Sequence, residues 1–150
     1  MIIIGYQGIG KSTLAGTDRF IDLESGNFWV DGKRADDWYI PYCQIAEHLS
    51  AQGFHVFVSS HEVVRKQLRN SKEEVLLVFP SIFLKEFWVQ KLEDRWKATE
   101  LEKDYKAYMN AKTRYDLNIT ELMTENFKKI IIQDKQYRLQ YLLNKEIIKM

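Results

Sequence analysis

Short apolar runs alternate along the chain with longer stretches in which apolar residues recur every three or four positions. The runs are residues 1–4, Phe20-Ile21-Asp22-Leu23, His55-Val56-Phe57-Val58-Ser59, Val75-Leu76-Leu77-Val78-Phe79 and Lys129-Ile130-Ile131-Ile132. Each is rich in β-branched or aromatic residues and most are bounded by Gly, Ser, Asp or Pro, which predicts five strands. Between them, Trp38, Tyr42, Ile45, Ala46 and Leu49 predict a helix over 36–51. Asp36 and Asp37 suit its positive end, Pro41 its first turn, and Gly53 its stop. Val63, Val64 and Leu68 predict another, opened by a Ser59-x-x-Glu62 capping box. A long helical region follows, with one stripe of Leu84, Phe87, Trp88, Leu92 and Trp96 and a second of Tyr105, Tyr108 and Met109. Thr99-x-x-Glu102 and Asn118-x-x-Glu121 are further capping boxes within it, and Tyr137 to Lys149 predicts a closing helix. Residues 24–35 read as an exposed excursion. Strands separated by helices imply a parallel sheet covered on both faces.

The first strand runs straight into Gly5-Tyr6-Gln7-Gly8-Ile9-Gly10-Lys11-Ser12, and Thr13-Leu14-Ala15 continues as a helix that Gly16-Thr17-Asp18 cuts short. G-x-x-x-x-G-K-S between a strand and a helix is the pattern of a phosphate-binding loop. Gly5, Gly8 and Gly10 let the backbone turn and approach phosphate oxygens without a Cβ in the way. The amides of Gln7, Gly8, Ile9 and Gly10 then form an anion nest, helped by the helix dipole. Lys11 reaches the β- and γ-phosphates of ATP, Ser12 offers its hydroxyl to Mg²⁺, and Thr13 serves the α-phosphate side.

Composition narrows the rest. A chain of 150 residues is sized for one domain. A net charge of +1 gives no field for a nucleic-acid polymer or a membrane surface. There is no membrane-length apolar run and no basic leader before the apolar start, so the expected setting is cytoplasmic. Cys43 is the single cysteine and is read as a buried thiol. Asn118-Ile119-Thr120 matches a glycosylation sequon but is read as a helix cap.

With the loop, the strand pattern and the helical region in hand, the chain resembles the P-loop kinases of the adenylate kinase, shikimate kinase and gluconate kinase group. That resemblance implies a three-layer P-loop NTPase fold with five parallel strands in the order 2-3-1-4-5 and helices on both faces. It implies one domain over 1–150, with 82–117 as a helical lid. Asp22, ending the second strand, corresponds to the acceptor-side acid of shikimate kinases. Ser59 to Arg69 is similar to the gluconate kinase segment that leads from the third strand into an arginine-bearing helix. Lys85 to Arg95 is similar to the lid helix. The chain has no Asn-Lys-x-Asp for guanine and no acid closing its third or fourth strand, which sets it apart from GTPases and mechanical ATPases.

The expectation is therefore an ATP- and Mg²⁺-dependent phosphotransferase acting on a small molecule, a nucleoside or nucleoside monophosphate first. A metabolite kinase of the shikimate or gluconate kind, or a nucleotide-binding regulatory module with little turnover, are the alternatives. Lys11, Asp22 and Arg95 are the catalytic candidates, and Asp22, Glu24 and Arg65 the acceptor-binding ones. Each has a plainer reading: Asp22 as a turn cap, Arg65 as a solvated helix charge, Arg95 as a flank charge. Arg114 is a second lid arginine and His61 a first-turn helix residue. Phe28, Trp29, Trp38 and Tyr39 either stack on a nucleobase or pack the excursion down.

Overall fold

The five apolar runs do pair as strands. In the computed structural model, which describes residues 1–149, they are β1 (Ile2–Gly5), β2 (Phe20–Asp22), β3 (His55–Ser59), β4 (Val75–Pro80) and β5 (Lys128–Ile132). The expected 1–150 span therefore ends one residue outside the described residues. The sheet is all-parallel, in the order β2-β3-β1-β4-β5. Ile2, Ile3 and Ile4 have no exposed surface, as befits a central strand buried on both faces. The register sets Gly5 against Ser59 and Asp22 against Phe57, so β1, β2 and β3 deliver their carboxyl ends to one edge.

Among the described residues six α-helices lie around the sheet: α1 (Lys11–Leu14), α2 (Tyr39–Ala51), α3 (Glu62–Leu68), α4 (Lys85–Thr99), α5 (Glu102–Met123) and α6 (Leu139–Lys149). The excursion holds a 3-10 turn at Ser25–Phe28 and a bridge between Val30 and Lys33. Helix ends depart from the sequence reading. α2 begins at Tyr39, leaving Asp36 and Asp37 in the turn ahead of it. Gly53 follows it with a φ of 92°, a left-handed value that suits glycine. The Ser59–Glu62 capping box does not form. His61 is the N-cap of α3 with no side-chain cap bond, and the Ser59 hydroxyl bonds His61 Nδ1 at 2.7 Å. Leu101, not Thr99, caps α5. Asn118 caps nothing: it lies inside α5, with Nδ2 donating to Asn110 Oδ1 at 2.6 Å. The buried stripe Tyr108, Ala111, Tyr115, Ile119 and Leu122 carries the helix past that motif, since continuous burial outweighs a local capping signal. The backbone kinks instead at Arg114.

The chain divides into two compact units. One comprises Met1–Tyr6, Gly10–Val78 and Asn126–Lys129; the other comprises Gln7–Ile9, Phe79–Glu125 and the residues from Ile130 on. In the first, Phe20 stacks on Phe57 at 5.6 Å, and Tyr42, Cys43 and Ala46 of α2 are fully buried. Burial pushes the Cys43 thiol up to about 12. In the second, Trp88 and Leu92 of α4 and Tyr115 of α5 form the core, and the Tyr115 hydroxyl donates to Ser81 O at 2.7 Å.

Tyr42 ties the first unit together at the carboxyl edge of β2 and β3. Its hydroxyl accepts from Ser59 N–H at 2.9 Å and donates to Leu23 O at 2.7 Å, joining the ends of β3 and β2. Tyr42→Phe leaves both backbone groups without that partner. The expected loss is about 1–3 kcal/mol in urea denaturation. An unchanged midpoint and slope would show that the bridge holds nothing.

Candidate functional site

The glycine-rich loop leaves the sheet as the sequence requires. Tyr6 N–H still donates to Val78 O at 3.0 Å, and the chain then turns away. Gly8 has a φ of 85° and Gly10 a φ of 106°, both in the left-handed region. A Cβ on Gly8 would also lie 2.9 Å from Leu92 Cδ2 and 3.1 Å from Trp88 Nε1, so this position excludes a side chain twice over.

What holds the middle of the loop lies far away in sequence. Trp88 Nε1 donates to Gln7 O at 2.8 Å, and the Tyr137 hydroxyl donates to Ile9 O at 2.8 Å. The Gln7 side chain donates to Ala107 O and Asn110 Oδ1, each at 3.1 Å. Among the described residues no peptide is cis, and in a trans peptide the C=O and the next N–H point in opposite directions. With the carbonyls of Gln7 and Ile9 turned toward Trp88 and Tyr137, the N–H groups of Gly8 and Gly10 face the other way. An anion nest requires N–H groups that share one side, and these two do. Trp88 and Tyr137 stack at 5.8 Å, and Lys91 Nζ donates to the Tyr137 hydroxyl at 2.8 Å. Burial first, and then the Arg95 charge, lowers the Lys91 pKa, while burial raises that of Tyr137 to about 12. The sequence reading placed Trp88 in the core, where it is, but gave Tyr137 and Lys91 no role.

After the loop, Lys11 is half-buried and Ser12 and Thr13 are exposed. The Thr13 hydroxyl donates to Gly10 O at 2.7 Å, so its proton is used within the loop. α1 is four residues long. One turn carries little of a helix dipole, so the expected help from that source gives way to the loop amides and the Lys11 charge.

The same unit assembles a second group at the carboxyl edge of β2 and β3. Asp22 is half-buried at the end of β2, close enough for its charge to add to the burial that raises the Tyr42 pKa. Glu24 is exposed. Arg65 is 3% exposed and donates from Nε to Ser60 O at 2.9 Å, so it is a buried guanidinium at the strand end rather than a solvated helix charge. The His61 pKa is lowered, by burial first and then by Arg34, Lys11 and Arg65. Four basic side chains from four segments thus share one neighbourhood.

The aromatics of the excursion pack it down. Trp38 is 7% exposed and touches Phe28, Tyr39, Tyr42 and His61 ring to ring. Phe28 also meets Tyr42 edge-on at 5.5 Å. Trp29 stays half exposed, and Arg34 lies over both Trp29 and Trp38, with Cζ 4.8 and 3.8 Å from the ring centres.

Arg95 belongs to the other unit. Its Nε lies 3.3 Å from Oδ1 of Asp104, a buried acid whose other oxygen accepts from the Thr99 hydroxyl at 2.5 Å. This clasp joins α4 to α5, and nothing in the local sequence pattern announced Asp104 as its partner. Arg114 is exposed at the α5 kink.

Among the described residues there is no group of three or more His, Cys, Asp or Glu placed to hold a metal, and no helix is long and apolar enough to cross a membrane. No family model matches the chain, and no curated protein matches it.

Proposed function

We propose that the chain is a P-loop phosphotransferase that moves the γ-phosphoryl group of ATP to a small acceptor, a nucleoside or nucleoside monophosphate. The observation that carries this is the loop itself: the carbonyls of Gln7 and Ile9 are held to one side, and Lys11-Ser12 follows at once. The strand order and the position of the loop after β1 support the three-layer P-loop NTPase fold as part of the same reading. A cytoplasmic setting accords with it.

In this mechanism the amides of Gly8, Gly10 and their neighbours receive phosphate oxygens, and Lys11 spans toward the group being transferred. Ser12 would hold Mg²⁺ through its hydroxyl, which accords with the small number of protein ligands that ion takes in such sites, and the ion would supply charge neutralisation on the phosphates. Asp22 orients the acceptor's attacking oxygen and, where that oxygen is a hydroxyl, takes its proton, and Arg65 supplies positive charge at the strand end. Most of the rate gain comes from placement and fixed charge.

Arg95 faces a competing demand. Neutralising the transferring phosphoryl group requires it to leave or share the Asp104 carboxylate. That pairing favours a second reading, a nucleotide-binding module with little turnover. Lys11→Ala separates an ATP site from a fortuitous turn: ADP release in a coupled assay should fall by roughly 10²-fold or more. Undiminished turnover would remove the loop from the mechanism. Asp22→Asn separates an enzyme from a binding module. Turnover should fall by about 10²-fold while ATP affinity changes far less. If ATP affinity collapses and turnover per bound ATP survives, Asp22 serves the metal instead.

A further inference from the structure

Lys91 has no part in the mechanism above, yet it lies against both side chains that hold the glycine-rich loop. It follows Trp88 by three positions on α4, the spacing that puts two side chains on one helix face. Its Nζ is 4.5 Å from the Trp88 ring centre and 5.0 Å from that of Tyr137, and it donates to the Tyr137 hydroxyl at 2.8 Å. Tyr137 is placed by the turn after β5, where its own N–H meets Asp134 O at 3.2 Å and Gln136 N–H meets Asp134 Oδ1 at 2.9 Å. All of these residues belong to the unit that carries Gln7, Gly8 and Ile9.

A lysine is a costly residue in this position. Lys91 is half-buried, and among the described residues no carboxylate pairs with it and the Tyr137 hydroxyl is its hydrogen-bond acceptor. Burial, with the Arg95 charge behind it, lowers its pKa, the direction expected of a cation withdrawn from water without an anion. A methionine would cover the same rings with no charge to desolvate. What the ammonium adds is a donor to Tyr137. The three groups form one directed chain: Lys91 Nζ–H to Tyr137 Oη, Tyr137 O–H to Ile9 O at 2.8 Å, and the Ile9 peptide ending in the Gly10 N–H. The hydroxyl's longer contact with Gly8 O, at 3.5 Å, is the weaker one. A hydroxyl that accepts from a cation donates more strongly, and a peptide whose carbonyl is firmly bonded presents a more polarised N–H. Burial pushes the Tyr137 hydroxyl up to about 12, so at neutral pH it keeps the proton that this chain requires.

We infer that Lys91 is a positioning residue for the phosphates of ATP: acting through Tyr137, it holds the Ile9–Gly10 peptide with its N–H toward the bound anion and strengthens that N–H as a donor. This rests on the reading of the loop as the ATP phosphate site and deepens it, since it gives α4 a part in phosphate binding at a residue that touches no phosphate.

The test compares the wild type with Lys91→Met, Lys91→Arg, Tyr137→Phe and the double variant Lys91→Met/Tyr137→Phe, each shown by circular dichroism to be folded, with Lys91→Gln in place of Lys91→Met should that fail to fold. Binding of MgATP and of inorganic pyrophosphate is measured by calorimetry. Lys91→Met should weaken both by about 10-fold, the scale of one charge-assisted hydrogen bond. Lys91→Arg, which keeps a cationic donor, should stay within about threefold of the wild type. Tyr137→Phe should match Lys91→Met, and the double variant should be no more than about twofold weaker than Tyr137→Phe, because two residues in one chain are not additive. In the unliganded protein the Gly10 N–H resonance should move upfield in Lys91→Met and Tyr137→Phe alike. A merely structural lysine would show neither the arginine rescue nor the non-additivity. No saturable binding by the wild type overturns this inference together with the loop reading. Wild-type binding that Lys91→Met leaves undiminished, losses that add in the double variant, or a Gly10 signal unmoved in both single variants overturns it alone and leaves the loop reading intact.

Discussion

The direction of two backbone carbonyls governs the candidate site. A glycine-rich turn is free to adopt many shapes, and an anion nest requires that successive N–H groups share one side. Trp88 and Tyr137 set that side by taking the carbonyls of Gln7 and Ile9. The two rings are stacked on each other, and Trp88 is fully buried, so the donors are rigid. Gly8 then has no room for a side chain, and its left-handed backbone follows from the same constraint. The cost of ordering the loop is met on folding rather than on ligand binding, which is what preorganisation means for the phosphate site proposed here.

A second constraint operates at the carboxyl edge of β2 and β3. Tyr42 is fully buried, and its hydroxyl is satisfied on both sides by the ends of these strands. That bridge sets where Asp22 leaves the sheet and where Ser59 turns toward His61. Around it, Arg34, Lys11 and Arg65 lie close enough for their charges to add to the burial that lowers the His61 pKa, while Trp38 gives Arg34 and His61 a common apolar surface. A parallel sheet offers ligands this edge because its loops and helix starts gather there.

The strands and their boundaries could be read closely from the sequence, because strands buried on both faces leave uninterrupted apolar runs such as Ile2-Ile3-Ile4 and Val56-Phe57-Val58. The motif from Gly5 to Ser12 was equally plain, being local in sequence. Helix ends were read less well: Ser59, Thr99 and Asn118 carry capping signatures, but their side chains found other partners. The supports of the loop were invisible for a different reason. Tyr137 and Ile9 are 128 positions apart, and no periodicity marks a hydroxyl destined for a distant carbonyl. Arg34 looked like one charge in an exposed excursion, and only its position over Trp38 distinguishes it. Arg95 was legible as a helix cation, but the buried Asp104 that holds it was not.

Backbone amide resonances of the loop report most directly on whether it is a phosphate nest. With ¹⁵N-labelled protein titrated with ATP and Mg²⁺, the account predicts that the N–H signals of Gly8, Gly10, Lys11 and Ser12 move downfield together and saturate, as charge-assisted hydrogen bonds form. The indole N–H of Trp88 should stay in place, since it remains bonded to Gln7 O. Loop amides that do not move at millimolar ATP, or a Trp88 signal that shifts while they stay fixed, would contradict it.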